Sequence, residues 1–387
     1  MQTSPQSHFD ASIVGGGPAG SSAALGLAAG GLRVIVIDKA KFPRYKTCGG
    51  GVVHRAVRAL PFALDGVVKQ SCFAAEMNCI DAGLHFIVNR EKPIISMVMR
   101  DEFDAFLLTR ARKAGARLLP GCEVEKIRQE ADCVFLTTTH GEFTARYLIA
   151  ADGATGTIAR KSGWRKPLRV APALEYETFA DGGTLWKFQQ RARFDFGIIP
   201  YGYAWVFPKD DHLSIGALTI KPESANLNAS IKMYFSLLGL GLEEGVERHG
   251  YVIPLHPRED GFVRHRVLLV GDAAGLVDPV TGEGISFAIR SGQLAAAAII
   301  DGKMDPVDVR SLYENALSSS ILPELRFGSR LSRLLYHPRI RTWMFRRYGQ
   351  RLAEAMTDVI MGERTYKEVL SEPRNYLDAI QKLWVKS

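Results

Sequence analysis

Short apolar runs that end at a glycine or an aspartate recur along this chain. They span residues 9–14, 34–37, 147–151 and 267–270. Runs of this length, bounded by turn-forming residues, are typical of buried strands. The first run leads into Gly15-Gly16-Gly17-Pro18-Ala19-Gly20, where a strand would end and a helix would begin. The pattern therefore predicts a strand–turn–helix unit at the start of a parallel sheet.

The rest of the chain predicts three further regions. Alternating residues from about 77 to 99 suggest strands, and the acidic first turn after Arg100 begins a helix. From about 167 to 255 the sequence is rich in aromatic and β-branched residues, which favours a second sheet. An alanine-rich helix is predicted after Gly284, and helices continue beyond Asp305.

The glycine segment has the G-x-G-x-x-G spacing of a dinucleotide-binding turn. Gly15 would form the turn, Gly17 would let the backbone approach a pyrophosphate, and Gly20 would let the helix pack on the strand. Pro18 and Ala19 begin the helix, whose N-terminus favours phosphate. Asp38, followed by Lys39, lies where an acid would bind the adenosine ribose.

Two more strand ends carry an aspartate, in Asp152-Gly153 and in Gly271-Asp272. Such positions are where ligands bind in open α/β sheets, although each aspartate could also be a turn residue or a helix cap. The order of the motifs resembles FAD enzymes of the p-hydroxybenzoate hydroxylase structural group. That resemblance implies that Asp272 binds the ribityl chain, that Asp152 and Gly153 lie near the pyrophosphate, and that Arg100 contacts FAD rather than forming a surface salt bridge.

A narrower resemblance involves two segments. Residues 43–50 resemble the P-x-x-K-x-C-G-G segment of the geranylgeranyl reductase family, and residues 203–208 resemble its Y-x-W-x-F-P signature. The family usually continues with G-x-G, of which Gly216-Ala217-Leu218 keeps the first glycine. The resemblance covers roughly residues 8 to 300 and implies that Cys48 and Gly49 lie beside the flavin.

The fold class expected is α/β: a Rossmann-type FAD-binding domain, an interleaved antiparallel β-sheet substrate domain and a C-terminal helical region. The expected FAD-binding parts are residues 1–75, 100–166 and 259–302, the substrate parts are 76–99 and 167–258, and the helical region is 303–387.

The resemblance implies an FAD-dependent oxidoreductase that reduces C=C bonds of a geranylgeranyl or polyprenyl chain on a lipid, chlorophyll precursor or quinone. Four aromatic residues at alternating positions would form an apolar substrate face or simply sheet core: Tyr201, Tyr203, Trp205 and Phe207. Gly282, Gly284 and Ile285 would bring a helix N-terminus to the flavin. Cys48, Tyr203 or an ordered water would supply the proton.

Electrons would come from NADPH or from a reduced carrier such as a ferredoxin. No second G-x-G-x-x-G exists for a separate nicotinamide domain, so NADPH would bind transiently. The alternatives are a flavin monooxygenase or halogenase acting on an aromatic substrate, and a membrane-docked electron-transfer flavoprotein. The W-x-W-x-I-P motif typical of the halogenases does not occur in the chain.

The net charge of +8 is concentrated near the C-terminus. Seven arginines fall between residues 326 and 347 with no acid among them, interleaved with aromatic and aliphatic residues. This composition suits a helix on an anionic membrane, or a helix packed on the core with solvated arginines. No nucleic-acid motif accompanies it.

Five scattered cysteines form no metal-ligand pattern, so no metal is expected. The sequence begins without a secretory signal pattern, and no apolar run is long enough to span a membrane. We therefore expect a cytoplasmic protein, either free or peripheral on the inner face of the cell membrane.

Overall fold

The computed structural model describes residues 8–166, 168–241 and 248–371. Within these ranges the strands are β1 (His8–Val14), β2 (Val34–Asp38), β3 (Gly51–Val53), β4 (Val68–Cys72), β5 (Ala74–Cys79), β6 (Leu84–Asn89), β7 (Ile95–Val98), β8 (Arg117–Pro120), β9 (Val124–Gln129), β10 (Val134–Thr138), β11 (Gly141–Ala150), β12 (Val170–Phe179), β13 (Arg191–Phe196), β14 (Gly202–Pro208), β15 (His212–Thr219), β16 (Arg248–Pro254), β17 (Val263–Arg264) and β18 (Val267–Leu269).

The helices of the same ranges are α1 (Pro18–Ala29), α2 (His54–Ala59), α3 (Arg100–Lys113), α4 (Ile158–Lys161), α5 (Gly182–Phe188), α6 (Leu227–Leu238), α7 (Ile285–Asp301), α8 (Pro306–Ser320), α9 (Leu322–Leu335), α10 (Pro338–Met361) and α11 (Tyr366–Ser371).

The first sheet is the nucleotide-binding layer predicted from the apolar runs. Its strands follow the order β17-β18-β11-β1-β2-β8, and the β9–β10 hairpin extends from β11. β1 pairs in parallel with both β2 and β11, and β11 pairs in parallel with β18. The carboxyl ends of these four strands therefore meet at one edge, which brings the predicted motifs together.

The second sheet contains seven strands in the order β16-β12-β15-β14-β13-β5-β6. Neighbouring strands are antiparallel except for β13 and β5. Helix α6 packs against one face of the sheet through Ile231, Tyr234 and Phe235. Side chains of α9 and α10 join Tyr203 and Trp205 in another core cluster, so the C-terminal helices cover the face that carries the aromatic residues. The α/β fold with two sheet domains and a C-terminal helical region is therefore confirmed.

The boundaries of the second sheet differ from the expectation. Its first strand begins at Ala74, whereas β7 pairs with β3 and β4 in a separate three-stranded sheet. The expected strand over residues 194–199 ends at Phe196, because Gly197 has a φ of +92° that turns the chain. Residues 167, 242–247 and 372–387, which belong to the predicted segments 167–258 and 303–387, lie outside the described residues.

The arginine-rich segment forms α9, the connection that follows it and the first part of α10. Six of its arginines are exposed, but Arg341 is buried and pairs with Asp81. Its aromatic residues Tyr336 and Phe345 are buried in the core, whereas Trp343 remains 52% exposed. The segment is thus both a packing element and an exposed basic surface.

Candidate functional site

A cavity of about 580 Å³ lies between the carboxyl edge of the first sheet and the aromatic face of the second. This volume is typical of a small-molecule or cofactor site. Its wall includes fifteen of the seventeen predicted cofactor-binding residues: Gly15, Gly17, Pro18, Ala19, Asp38, Lys39, Cys48, Gly49, Arg100, Asp152, Gly153, Asp272, Gly282, Gly284 and Ile285. Gly20 and Gly271 lie behind this wall.

The glycine turn after β1 has the geometry that close packing requires. Gly15 adopts a φ of +107°, and a Cβ on Gly20 would lie 1.9 Å from the Gly15 carbonyl oxygen. A Cβ on Gly17 would instead point into open space, with Arg44 Nη2 the nearest atom at 3.8 Å. Gly15 and Gly20 are therefore required by the fold, whereas Gly17 leaves room for a ligand.

Asp38 is the last residue of β2 and lies on the same edge of the sheet. One carboxylate oxygen accepts a hydrogen bond from Gly16 N at 2.7 Å, and the other accepts one from Ala40 N at 2.8 Å. These bonds hold the side chain at the cavity wall beside the glycine turn. Each oxygen keeps lone-pair capacity for a ribose hydroxyl.

Two arginines reach the cavity through one buried carboxylate. Asp104 is fully buried and binds Arg100 with both oxygens, and Arg44 Nη2 lies 3.0 Å from Asp104 Oδ2. Arg44 Nη1 is buried and lacks a hydrogen-bond partner within the described part of the chain. Two guanidinium groups against one carboxylate leave a net positive charge, which suits a phosphate group. Arg44 was not assigned a role from the sequence, although it lies in the segment Pro43–Gly50.

Asp152 lies just past the end of β11. Its Oδ2 atom accepts a hydrogen bond from Ile158 N at 2.9 Å, whereas its buried Oδ1 atom has no such partner in the described ranges. Burial raises the pKa of this carboxyl. Asp152 is thus a helix cap on one side and offers an unused acceptor on the other.

Asp272 lies in the short 3₁₀ turn Gly271–Ala274 that follows β18. Burial raises the pKa of Asp272, while the nearby cations Lys46 and Arg100 oppose that rise. Burial, followed by repulsion from Arg100, lowers the pKa of Lys46 to about 8. Lys46 Nζ also lies 3.2 Å from the centre of the Tyr251 ring. No role was predicted for Lys46 beyond its place in the resembled motif.

The turn before α7 places Gly282, Gly284 and Ile285 at the cavity. Gly284 is the residue that precedes the first turn of the helix. Glu283 caps that turn by accepting a hydrogen bond from Ser286 N at 2.6 Å. The N-terminus of α7 thus faces the cavity, with one of its N–H groups already bound.

The loop that contains Cys48 and Gly49 is fastened to the second sheet. Cys48 N donates to Glu175 Oε2 at 2.7 Å, and Lys209 Nζ donates to the Gly49 carbonyl oxygen at 2.6 Å. These bonds hold the loop at the junction of the two sheets.

Three of the four predicted aromatic residues line the cavity: Tyr203, Trp205 and Phe207. Tyr201 does not share their face, because it precedes β14 in a turn with a φ of +51° and packs near Lys221 and His337. Here the alternation argument was wrong, since it assumed an extended chain through residue 201. The Tyr203 hydroxyl donates to the Thr281 carbonyl oxygen, so its proton is directed at the backbone.

These features fit FAD. Asp152 Oδ1, Arg44 Nη1 and Trp205 Nε1 are buried without partners among the described residues, and all three side chains line the cavity. Buried polar groups of this kind are normally satisfied by a ligand or by water. Bound FAD would supply hydride or electron transfer, with Arg44 and Arg100 toward its phosphates, Asp272 toward its ribityl chain, and the free acceptor of Asp152 toward a hydroxyl or N–H donor.

Comparisons with known proteins agree with this site. A family model described as an FAD binding domain matches residues 8–170. A geranylgeranyl diphosphate reductase from Rhodobacter capsulatus is 34% identical over 75% of this chain and 74% of its own length. A menaquinone reductase from Mycobacterium tuberculosis is 30% identical over 85% of each chain.

Solved structures share the fold. A geranylgeranyl bacteriochlorophyll reductase-like protein from Thermoplasma acidophilum aligns with a TM-score of 0.79 at 21% identity, over 97% of this chain and 98% of its own. The flavin-dependent brominase Bmp2 aligns with a TM-score of 0.72 at 20% identity, over 98% and 100%. At such identities the likeness concerns the fold alone.

The fold and the site define an FAD-dependent oxidoreductase. The chain belongs to the geranylgeranyl reductase family, of the geranylgeranyl and menaquinone reductase type. Within residues 8–166, 168–241 and 248–371, no helix is long and apolar enough to cross a bilayer.

Proposed function

We propose that this protein reduces C=C bonds in the polyprenyl chain of a lipid, chlorophyll precursor or quinone. The observation that carries the proposal is the shared cavity, in which the apolar wall of Tyr203, Trp205 and Phe207 adjoins the predicted flavin-binding residues. An aromatic wall suits a prenyl chain, because burial of apolar surface contributes about 25 cal/mol per Å². The relatives named as geranylgeranyl diphosphate and menaquinone reductases support the same substrate class.

The chain's own residues would orient the reaction. The loop of Cys48 and Gly49 closes one side of the cavity and would exclude water from the reacting carbon atoms. Tyr203 would form part of the apolar wall and not donate the proton, because its hydroxyl already donates to the Thr281 carbonyl oxygen. Cys48, one of the proton donors expected from the sequence, lines the cavity and is partly exposed there.

The test is a single-turnover reaction. Bound FAD is reduced without oxygen and the protein is then mixed with geranylgeranyl lipids or with a prenylated quinone. Mass spectrometry should show a gain of about two daltons for each double bond reduced. Hydroxylated or halogenated product, formed with oxygen or halide from an aromatic substrate, would favour the monooxygenase or halogenase alternative. Reduced flavin that passes electrons only to a redox partner would favour the electron-transfer alternative.

NADPH or a reduced ferredoxin-like carrier would deliver the electrons. The two donors differ in a measurable way, because NADPH transfers a hydride whereas the carrier transfers single electrons. Rapid mixing of the oxidised protein with each donor in turn would identify the one that reduces the flavin.

We also propose that the exposed face of α10 binds anionic membranes, where such substrates reside. Trp343 follows Arg339 by four residues and precedes Arg346 and Arg347 by three and four, so all four lie on one helical face. The three arginines and Trp343 are exposed. An exposed tryptophan between basic residues is typical of a helix at a bilayer surface.

A further inference from the structure

A row of polar side chains runs along β12 and β15 from the cavity to the protein surface. Glu175 lines the cavity and is 1% exposed. Its Oε2 atom accepts the Cys48 backbone N–H, and Ser214 Oγ donates to its Oε1 atom at 2.7 Å. The first partner holds the carboxyl at the loop that closes the cavity, and the second lies on the neighbouring strand.

The row continues away from the cavity through Glu177 and His212. Glu177 lies two residues from Glu175 on the same face of β12, and it is directly opposite Ser214 in the β12–β15 register. His212 lies two residues from Ser214 on the same face of β15. Its Nε2 atom is 2.9 Å from Glu177 Oε2, an ion-pair contact in which the two atoms are not aligned as a hydrogen bond. The other ring nitrogen of His212 lies 2.5 Å from Asp211 Oδ1, and Asp211 is exposed to solvent.

We propose that Glu175 is the acid that protonates the substrate in this cavity, and that Ser214, Glu177 and His212 return the proton from solvent. That the proton acceptor is an alkene carbon rests on the proposed reductase function. That Glu175 can hold a proton does not depend on that function.

The step balances as an ionic hydrogenation. One alkene carbon receives a hydride, which carries two electrons from the reduced flavin. The other carbon forms its new C–H bond with the π electron pair as the O–H bond of Glu175 breaks, which leaves a carboxylate. His212 then transfers a proton taken from the solvent side to the Glu177 carboxylate. Ser214 passes its hydroxyl proton to the Glu175 carboxylate as it takes that proton from Glu177, so both carboxyls and the hydroxyl return to their starting states.

Two properties of the site suit this role. A hydroxyl can both donate and accept, so Ser214 can serve Glu175 in either protonation state. Burial, followed by repulsion from Glu177, raises the pKa of Glu175 to about 7. A general acid works best when its pKa lies near the working pH.

Other charged groups face Glu175 and enter the pH dependence. Lys209 and Cys48 act on it from the end of β14 and from the loop, and its charge in turn affects Tyr45, which stacks on His249 of β16. Lys209 is buried, and burial lowers its pKa. A cation there favours the carboxylate, whereas burial and Glu177 favour the acid, and the two opposing effects leave Glu175 able to titrate near neutral pH.

The experiment compares Glu175→Gln with Glu125→Gln, which removes an exposed carboxyl on β9. Infrared spectra of the FAD-loaded resting proteins are recorded across neutral pH, where a protonated carboxyl has a C=O stretch distinct from that of a carboxylate. Wild type and Glu125→Gln should show a protonated-carboxyl band that titrates near pH 7, and Glu175→Gln should lack it. If the band persists in Glu175→Gln, the proposal is overturned.

The kinetic arm follows reoxidation of the reduced flavin by a prenyl substrate. Glu175→Gln should slow this single turnover by about 10²-fold or more, with FAD affinity unchanged, and should abolish its pH dependence near neutrality. Ser214→Ala should leave the first turnover fast and slow the later ones. A wild-type rate in Glu175→Gln would refute the acid role.

A different outcome is that wild type itself does not react with prenyl substrates. The reductase proposal then fails, and the acid role for the alkene fails with it. The infrared titration still establishes whether Glu175 is a buried acid.

Discussion

Asp104 binds Arg100 one helical turn before it with both carboxylate oxygens, at 2.9 Å from Nε and 2.9 Å from Nη2. The carboxylate is fully buried, and the guanidinium side chain is 10% exposed. The same carboxylate also pairs with Arg44. Arg100 and Arg44, which both line the cavity, are therefore held by one aspartate.

We expect Asp104→Asn to destabilise the protein by about 3–5 kcal/mol, because it leaves buried arginine charges without their partner. The free energy of unfolding of the apoprotein, from urea titration, measures the change. Asp65→Asn removes an exposed carboxyl and should change that free energy by less than about 0.5 kcal/mol. Equal effects of the two substitutions would show that Asp104 does not hold the arginines.

Gly17→Val should abolish FAD binding and leave the apoprotein folded. Gly17 has a φ of −75°, and its Cβ would enter the space that the pyrophosphate needs. The measurement is FAD titration by fluorescence together with thermal unfolding of the apoprotein. Gly250→Val, on the exposed strand β16, is the matched control and should bind FAD normally. Gly20→Val should instead prevent folding, because its side chain would collide with the Gly15 carbonyl.

Asp272→Asn should weaken FAD binding by about 1.5–3 kcal/mol, since it removes a charged hydrogen-bond acceptor. At neutral pH we expect the same substitution to increase the free energy of unfolding of the apoprotein. Burial raises the pKa of Asp272 on folding, so its ionised form costs stability above that raised pKa.

The pH dependence provides a second check on Asp272. The stability gain of Asp272→Asn should disappear as the pH falls below the ordinary aspartate pKa, because the wild-type carboxyl is then protonated in both states. Parallel urea titrations of wild type and variant at several pH values would measure this. Unchanged flavin affinity in the folded variant would mean that Asp272 is only a turn residue.

Gly216→Ala should impair the proposed substrate wall without affecting the FAD phosphates. A Cβ at Gly216 would lie 2.1 Å from Trp205 Cζ2, so the indole must move or the strands must separate. We expect a cost of about 1–3 kcal/mol, an altered tryptophan signal in near-ultraviolet circular dichroism, and loss of activity on prenyl substrates. FAD affinity should stay within about twofold of wild type. Gly250→Ala is the control, and an unchanged tryptophan signal in Gly216→Ala would refute the prediction.

Replacing Arg339, Arg346 and Arg347 with glutamine should reduce binding to anionic liposomes by about 100-fold at low salt. Each basic residue at such a surface contributes about 1 kcal/mol. Arg341 is left intact, because it is buried and paired with Asp81. The control neutralises the exposed residues Arg112, Lys126 and Arg160, and it should bind nearly as wild type. If wild-type protein ignores anionic liposomes at low ionic strength, the basic helices are packing surface only.

The sequence by itself determined the cofactor layer, because its signals are local. Gly15, Gly17 and Gly20 are set by the conformation of one turn, and Asp38, Asp152 and Asp272 each lie at the end of a buried strand or within three residues of it. Parallel strands bring their carboxyl ends to one edge whatever the details of the packing. The motifs around Cys48 and Trp205 then indicated the reductase family within the flavoproteins.

Only the tertiary structure decided which side chains share the cavity and how they are charged. Glu175 is 127 residues from Cys48, and their hydrogen bond exists because β12 happens to run beneath the loop. Arg44 is held at the cavity by the Asp104 carboxylate on α3. Arg341 is buried and not part of the basic surface, because it pairs with Asp81. Tyr201 left the aromatic face because of a single left-handed residue before β14. Burial and long-range pairing fix these properties, and neither is encoded in the local pattern of the chain.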